Sequence, residues 1–544
     1  MKKLFSRSGR LKKSWLACFQ IKRGARPSRA QQPPKLRAAG NRRTWPVISP
    51  LLRPRTVALP LAGNSRSCSG SPAPARVSGL WLLAIGLCAI FSAGCVVGPL
   101  YKRPATHTPQ AFRGETGGTT NSLADLPWWQ IFHDEQLQAL IREAITNNYD
   151  LRMAVARVEE ARAQAAVVRS QLFPQIDYGA LAGGGKNAGA NNQPSPTGTE
   201  GTVFAGDVQA AWEIDLFGRL RRQTEAARDQ YFASQEARRD VLTSLIAQVA
   251  QDYFQLLALD RQLDIARDST NSFGQSLKIF NQRLQGGIAS KLETSSAEAL
   301  LDAAAAMVPD LEQQIAAQEN QLNLLLGRNP GTVDRSHVSL DDEEPPEVPG
   351  GLPSALLERR PDIREAEQQL RAANAEVGVA EANFYPQLDL TGMFGRVSPE
   401  LATITSGQAL AWSAAASLTG PIFHGGQLRA QYAQARAARD AAALQFQSTV
   451  LNAFQEISSE LVARQKLAVA SEDRRQAVAA FQEAFKIAME RYRLGTSSYY
   501  EVLQQQQQLF PAEDSLVQTQ LNQLLAVVQL YRALGGGWTN ADGR

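Results

Sequence analysis

The chain has 544 residues, of which 20% are charged and 7% aromatic; this excludes a disordered polyelectrolyte and leaves room for several ordinary domains or one elongated one. Its net charge of +5 is divided unevenly, because residues 1–76 hold 18 of the 57 Lys and Arg and no acidic residue. The rest carries 39 basic against 52 acidic residues, so the basic pI gives no support to nucleic-acid binding by the bulk of the chain.

Residues 1–76 are rich in Arg, Pro and Ser, lack periodicity, and are too long for the basic start of a signal peptide. They read as a basic extension, with an upstream mis-assigned start as the favoured explanation. Residues 77–94 read as a lipoprotein signal peptide. Their apolar run at 80–91 is short for a membrane-spanning helix, and Ser92-Ala93-Gly94-Cys95 resembles a bacterial lipobox, in which the cysteine is lipidated. Val96, rather than Asp, follows that cysteine and points to the outer membrane. Residues 95–133 then form a lipidated tether. All four cysteines (Cys18, Cys68, Cys88 and Cys95) lie in these first 95 residues.

Apolar positions spaced by three and four predict a helix over 134–170, ended by Pro174. The period then changes to two, with strands at about 175–181 and 207–216. In the second, Val208, Ala210, Trp212, Ile214 and Leu216 alternate with Asp207, Gln209, Glu213 and Asp215. Residues 183–201, rich in Gly, Asn, Pro and Ser, read as a loop. From 220 to 284 there is no proline, and Leu242, Ile246, Val249, Tyr253 and Leu256 step by four and three as in a coiled-coil seam. A turn at 285–287 sends a return helix back to about 327, with a kink at Pro309. Residues 329–352 form an acidic, Pro-rich linker.

The pattern then repeats. Phe173-Pro174-Gln175-Ile176-Asp177 recurs as Tyr385-Pro386-Gln387-Leu388-Asp389, and Arg283, Gly287, Ser290 and Glu293 recur as Arg491, Gly495, Ser498 and Glu501. Thus 134–328 and 353–534 read as two copies of one unit, followed by a tail at 535–544. The second copy has alternating strands around Leu388–Phe394 and Trp412–Ile422, a second rod with the seam Val450, Phe454, Ile457 and Leu461, and a return helix interrupted at Pro511. Such alternation also suits a soluble sandwich face. In a membrane, four strands cannot close, and open edges would cost several kcal/mol per unpaired group. A membrane reading therefore requires oligomerisation, with Asp207, Glu213 and Asp215 as candidates to face the lumen.

The run Cys95-Val96-Val97-Gly98-Pro99-Leu100-Tyr101-Lys102-Arg103-Pro104, the segment Trp128-Trp129-Gln130-Ile131-Phe132-His133-Asp134, and the duplicated turns resemble a TolC-family outer-membrane efflux factor of the NodT/OprM lipoprotein type. The resemblance spans about 95–535. It implies an α+β membrane protein: a trimeric 12-stranded β-barrel, four strands per protomer, continued by a long periplasmic α-helical barrel. The implied function is passive conduction of small molecules in a tripartite efflux system. Its implied partners are a homotrimeric assembly, a periplasmic adaptor and an inner-membrane pump. No cofactor is implied beyond a covalent lipid on Cys95. Docking of the adaptor is expected at Arg283, Gly287 and Ser290 and at Arg491, Gly495 and Ser498, where glycine permits a tight reversal and serine can cap the outgoing helix. The same resemblance places a periplasmic gate at Glu501 and Gln504, the glutamine departing from a doubly acidic pattern.

Two other classes remain at this point. The four histidines (His107, His133, His337 and His424) are scattered without metal-ligand spacing, and no phosphate loop or nucleophile motif occurs, which weighs against an enzyme. A coiled-coil envelope protein accounts for the rods but not for the strands or lipobox. Within the channel class, an exit duct for a secreted protein or peptide is the alternative to small-molecule efflux.

Overall fold

The structure, a computed structural model, describes residues 96–106, 108–109, 111–114, 131, 134–186, 200–335, 339–343 and 356–536. Cys95, the apolar run before it and three of the four histidines lie outside these residues. The elements are α1 (Glu135–Asn147), α2 (Tyr149–Ser170), β1 (Gln175–Lys186), β2 (Glu200–Ile214), α3 (Arg219–Gln285), α4 (Lys291–Leu325), α5 (Pro361–Ala382), β3 (Gln387–Ser398), β4 (Leu410–Thr419), α6 (Gln427–Arg493) and α7 (Tyr499–Ala533), with a one-turn helix before α5.

The duplication is present in the structure down to element length. The long rods α3 and α6 each contain 67 residues, and the return helices α4 and α7 each contain 35. At 1.5 Å per residue the rods extend about 100 Å. Helices α2 and α5 and strands β1 and β3 are related by an offset of 212, whereas α3 and α6 are related by 208. The strand hairpin absorbs the difference: Gln175 lies opposite Ala211, and its equivalent Gln387 lies opposite Thr419, so the second copy is four residues shorter between these positions.

Three local expectations need correction. The helix expected over 134–170 is two helices, because Asn148 is extended there. Its side-chain oxygen accepts from the Leu151 N–H at 2.9 Å, and its amide donates to the Leu325 carbonyl, tying the break to the end of α4. The break directs α1 onto α3, where Asp134 caps α1 and accepts the Tyr253 hydroxyl at 2.5 Å. Pro511, expected to interrupt the second return helix, lies inside a continuous α7. Packing holds the α7 helix together across the missing N–H, with Phe510 edge-on to Phe273 of α3 at 5.5 Å. The strands also reach further into the glycine-rich segment than their composition suggests: β1 continues through Gly183–Gly185, and β2 begins at Glu200.

Both coiled-coil seams are buried as their spacing requires. Leu242, Ile246, Val249, Tyr253 and Leu256 on α3, and Val450, Phe454, Ile457 and Leu461 on α6, belong to one continuous apolar core. The linker joins it through Val333 and Leu340, and Arg335 bridges Asp260 and Glu319. The first residues of the chain that are described form a strap along this body. Buried Arg222 donates to the Val97, Gly98 and Pro99 carbonyls at 3.2, 3.2 and 3.5 Å. Tyr101 donates to Glu367, Arg103 pairs with Glu358 and Glu367, and Phe112 is buried beside Phe454. Burial and the Glu367 carboxylate push the Tyr101 phenol up to about 12.

At the start of α5, burial, then the carboxylates of Asp240, Asp362 and Glu236, push Glu365 up to about 7. The folded protein therefore binds this proton more tightly than the unfolded chain. Its stabilising effect is fully present below about pH 4.5 and is lost as pH rises to about 7. Glu365→Gln should stabilise the protein by roughly 1–2 kcal/mol at pH 8, after allowing for solvent screening, and should change little at pH 4. Thermal melts at the two pH values check this; equal shifts at both would contradict it.

Candidate functional site: a strand sheet and two helical tips

The four strands form one antiparallel sheet in the order β1-β2-β3-β4, so β1 and β4 are open edges within one chain. Because side chains alternate across a strand, the register divides the sheet into two chemically distinct faces. Tyr178, Val208, Phe394 and Trp412 lie opposite one another in a row across all four strands, and all four are exposed. Ile176, Trp212 and Leu418 extend this apolar face, and the Trp212 indole donates to the Leu172 carbonyl at 3.0 Å. On the other face the equivalent row is Asp177, Gln209, Met393 and Ser413. An exposed apolar face of this extent is the chemistry of a lipid-facing strand band. Among the described residues no helix is long and apolar enough to cross a membrane.

The three acidic candidates for the lumen separate. Asp207 lies on the polar face between Gly179 and Gly395 and accepts from Gln209 at 2.6 Å. Glu213 is instead paired with Arg219 through both carboxylate oxygens, at 2.5 and 3.1 Å. Asp215 lies past the end of β2 and accepts the backbone N–H of Arg221 at 2.9 Å. These two carboxylates fasten the sheet to the first turn of α3, where a negative charge is stabilised by the helix N-terminus. The alternation that suggested them is correct up to Ile214. It cannot reveal that an Arg-Leu-Arg sequence six residues on would draw both side chains to the junction.

At the opposite end of the rods, the six expected tip residues occupy two adjacent turns. Gly287 and Gly495 end α3 and α6 with φ of 73° and 74°, a conformation that disfavours any side chain. The next residues bond back to the Arg283 and Arg491 carbonyls at 2.9 and 3.0 Å. Ser290 caps α4 in a reciprocal box with Glu293, at 3.3 and 2.7 Å. Ser498 occupies the same place before α7, but its side chain makes no capping bond. The Glu501 backbone N–H instead meets the Ser498 carbonyl at 3.3 Å, and the Glu501 carboxylate, which would form the return half of a box, pairs with Arg491 across the turn at 3.2 Å. Thus the glycines match, while the equivalent Arg, Ser and Glu residues are wired differently in the two tips. Arg283 is also redirected, stacking over the Tyr492 ring of the other tip at 4.3 Å.

A small aromatic core joins the tips. Tyr499 packs edge-on against Phe280 and Tyr492, with ring centroids 4.1 and 4.9 Å apart. Burial pushes the Tyr499 phenol up to about 12. Its hydroxyl reaches Gln506, which donates to Ser272 of α3 at 2.7 Å. Gln504 is exposed, one turn beyond the Arg491–Glu501 pair. Four apolar residues escaped the sequence reading: Ile288 and Leu292 at the first tip, and Leu494 and Tyr500 at the second, all almost three-quarters exposed or more. The available signal was an apolar residue directly beside each turn glycine, where solubility alone favours a polar one.

A lipid-compatible sheet thus lies at one end of rods of about 100 Å, and a pair of tips with exposed apolar side chains lies at the other. The chain belongs to the outer membrane efflux protein family, whose model matches residues 140–328 and 352–536, the two halves of the duplication. It is 34% identical over 471 residues to the probable efflux pump outer membrane protein TtgC of Pseudomonas putida, covering 85% of this chain and 97% of that one. It is 32% identical over 453 residues to the cation efflux system protein CusC of Escherichia coli, covering 83% and 97%. The open state of the Neisseria gonorrhoeae MtrE outer membrane channel superposes with a TM-score of 0.74 at 30% identity, covering 82% of this chain and 99% of that one. The protein is an outer-membrane efflux channel component.

Proposed function

We propose that three copies assemble into a duct in which twelve strands close a barrel, the rods continue it through the periplasm, and the tips receive a periplasmic adaptor joined to an inner-membrane pump. A lipid on Cys95 anchors each copy, and small molecules pass without being bound tightly. The observation that carries this reading is the tip pair: an aromatic core fixes two hairpins together and leaves Ile288, Leu292, Leu494 and Tyr500 projecting from them. Exposed apolar side chains on a preorganised surface favour a protein partner. Arg283, Gly287, Ser290, Arg491, Gly495 and Ser498 build that surface rather than supply most of its apolar contact. Asp207 lines the lumen.

The test is the pair Ile288→Asp and Leu494→Asp, which alters only exposed side chains. We expect normal amounts in the outer membrane but loss of adaptor cross-linking and of efflux. Unchanged cross-linking would remove the tips from the docking surface.

The second tip is the proposed gate. Its Arg491–Glu501 pair is half-exposed and lacks the capping box that consolidates the first tip, so less holds it in place. Repeated by assembly, Glu501 would form an acidic ring that favours cations. Glu501→Gln should lower cation over anion preference in the reversal potential across a salt gradient and raise single-channel conductance. If neither moves, the gate lies elsewhere.

A further inference from the structure

Helices α2, α3 and α5 enclose a groove of about 530 Å³. Its floor is alanine, with Ala226 and Ala372 buried and Ala161, Ala227 and Ala373 half-buried. Around it stand the exposed amides of Gln164, Gln230 and Gln369. Gln369 donates to Glu365 at 2.8 Å, which leaves its carbonyl oxygen as an acceptor for the groove. Glu376 is the one acidic residue among the lining side chains, and none of them is basic. Glu376 has no hydrogen-bond or ion-pair partner among the described residues, and desolvation by its surroundings pushes its carboxyl above the usual carboxylate range. The duplication sharpens the arrangement. Ala161 and Gln164 on α2 are equivalent to Ala373 and Glu376 on α5 through the offset of 212. The two helices packed on α3 therefore present the same position to the groove, one as an amide and the other as a carboxylate.

The strap fixes which side of the wall the groove opens on. Its contacts on α5 are Glu367, Arg371, Asn374 and Gly378. At about 100° per residue these four lie within about 60° of one another, and Gln369, Ala372, Ala373 and Glu376 are centred about 180° away. Helix α5 is flanked by α3 and α6, so the strap and the groove occupy the two opposite faces of one wall. The strap follows directly on Cys95, and a lipid on that residue enters the bilayer outside the barrel. The strap face is then the outer wall of the duct, and the groove opens into the lumen.

Resting on the lipid-anchored duct proposed above, we propose that this groove is a lumenal binding site for an amphipathic organic cation, a station for cargo within the rods. An apolar floor takes a flat hydrocarbon surface, amide oxygens tolerate its polar edge, and Glu376 supplies the single opposite charge. The volume falls within the roughly 300–1,000 Å³ of small-molecule sites. An anion would meet the Glu376 carboxylate with no basic side chain to offset it. The groove is open along one side and holds one charge, which suits brief occupancy rather than retention.

Ethidium, a flat aromatic cation with one permanent charge, is the probe. It should bind the full-chain protein in lipid nanodiscs and lower single-channel current in a planar bilayer. Glu376→Gln keeps the shape and removes the charge; it should weaken binding about fivefold and relieve the block in proportion. Ala227→Leu keeps the charge and fills the floor, and should weaken both as well. Sedimentation of each variant should match the unaltered protein, which separates loss of the site from loss of assembly. Unchanged ethidium binding in both variants would overturn the site. Binding that falls in both variants while current is never blocked would place the groove outside the lumen and overturn its role as a cargo station. Absence of any current from the unaltered protein would count against the duct itself, whereas binding lost in both variants would still support the cation site.

Discussion

Arg360→Met should loosen the junction of α5, α6 and α7 and lower the stability of the folded protein. The buried guanidinium makes two bonds to Asp362 at 2.6 and 2.9 Å, one to Glu456 at 2.9 Å and one to the Ala533 carbonyl at 3.0 Å. It thereby joins the start of α5, the middle of α6 and the end of α7, three elements distant in sequence. Methionine fills much of the same volume but strands the two carboxylates and the last carbonyl of α7. The cost of breaking such a buried network is about 3 kcal/mol, at the lower end of the usual range because Glu456 and Asp362 retain some solvent. The thermal midpoint followed by helical circular dichroism in detergent should fall by several degrees. Arg360→Lys should recover only part of the loss, since an ammonium cannot reproduce the two-pronged contact with Asp362. An unchanged midpoint for the methionine variant would show that the network is not needed for stability.

Gly98→Val should release the strap. Gly98 has a φ of 102°, and a Cβ at this position would collide with the Gly378 backbone. Both costs fall on one residue: the left-handed conformation and the overlap with a helix that cannot retreat, because Gly378 itself lies against Arg222. With the strap lifted, Arg222 loses its three carbonyl acceptors and the Tyr101–Glu367 and Arg103–Glu367 contacts open. Trypsin should cut after Lys102 at least about tenfold faster than in the unaltered protein, as expected when about 1.4 kcal/mol or more of local closure is removed. A wild-type digestion pattern would mean that the strap is held by its outer contacts alone.

Much of this architecture is legible in the amino-acid order because it depends on periodicity and on two copies that corroborate one another. Leu242 to Leu256 and Val450 to Leu461 reveal the rods, since a seam of apolar residues spaced by four and three has few other uses. Pro174 and Pro386 mark where helices give way to strands. What escapes is decided by contacts between distant segments. Asn148 breaks a periodic helix because the Leu325 carbonyl is within reach. Glu213 and Asp215 continue an alternating pattern yet turn to Arg219 and Arg221. The candidate site shows the same limit: the turn glycines and the cap at Ser290 follow from local rules, whereas nothing local distinguishes Ser498, which makes no cap, or Glu501, which turns to Arg491. Equivalent residues in a duplicated chain need not keep equivalent partners.

The most direct test of the account is an image of the full-length protein in a lipid nanodisc by electron cryo-microscopy. It should show three copies around one axis, twelve strands closed into a barrel within the lipid, and rods extending about 100 Å beyond it to six hairpin tips. A different number of copies, a sheet left open in the lipid, or a barrel outside the bilayer would contradict it.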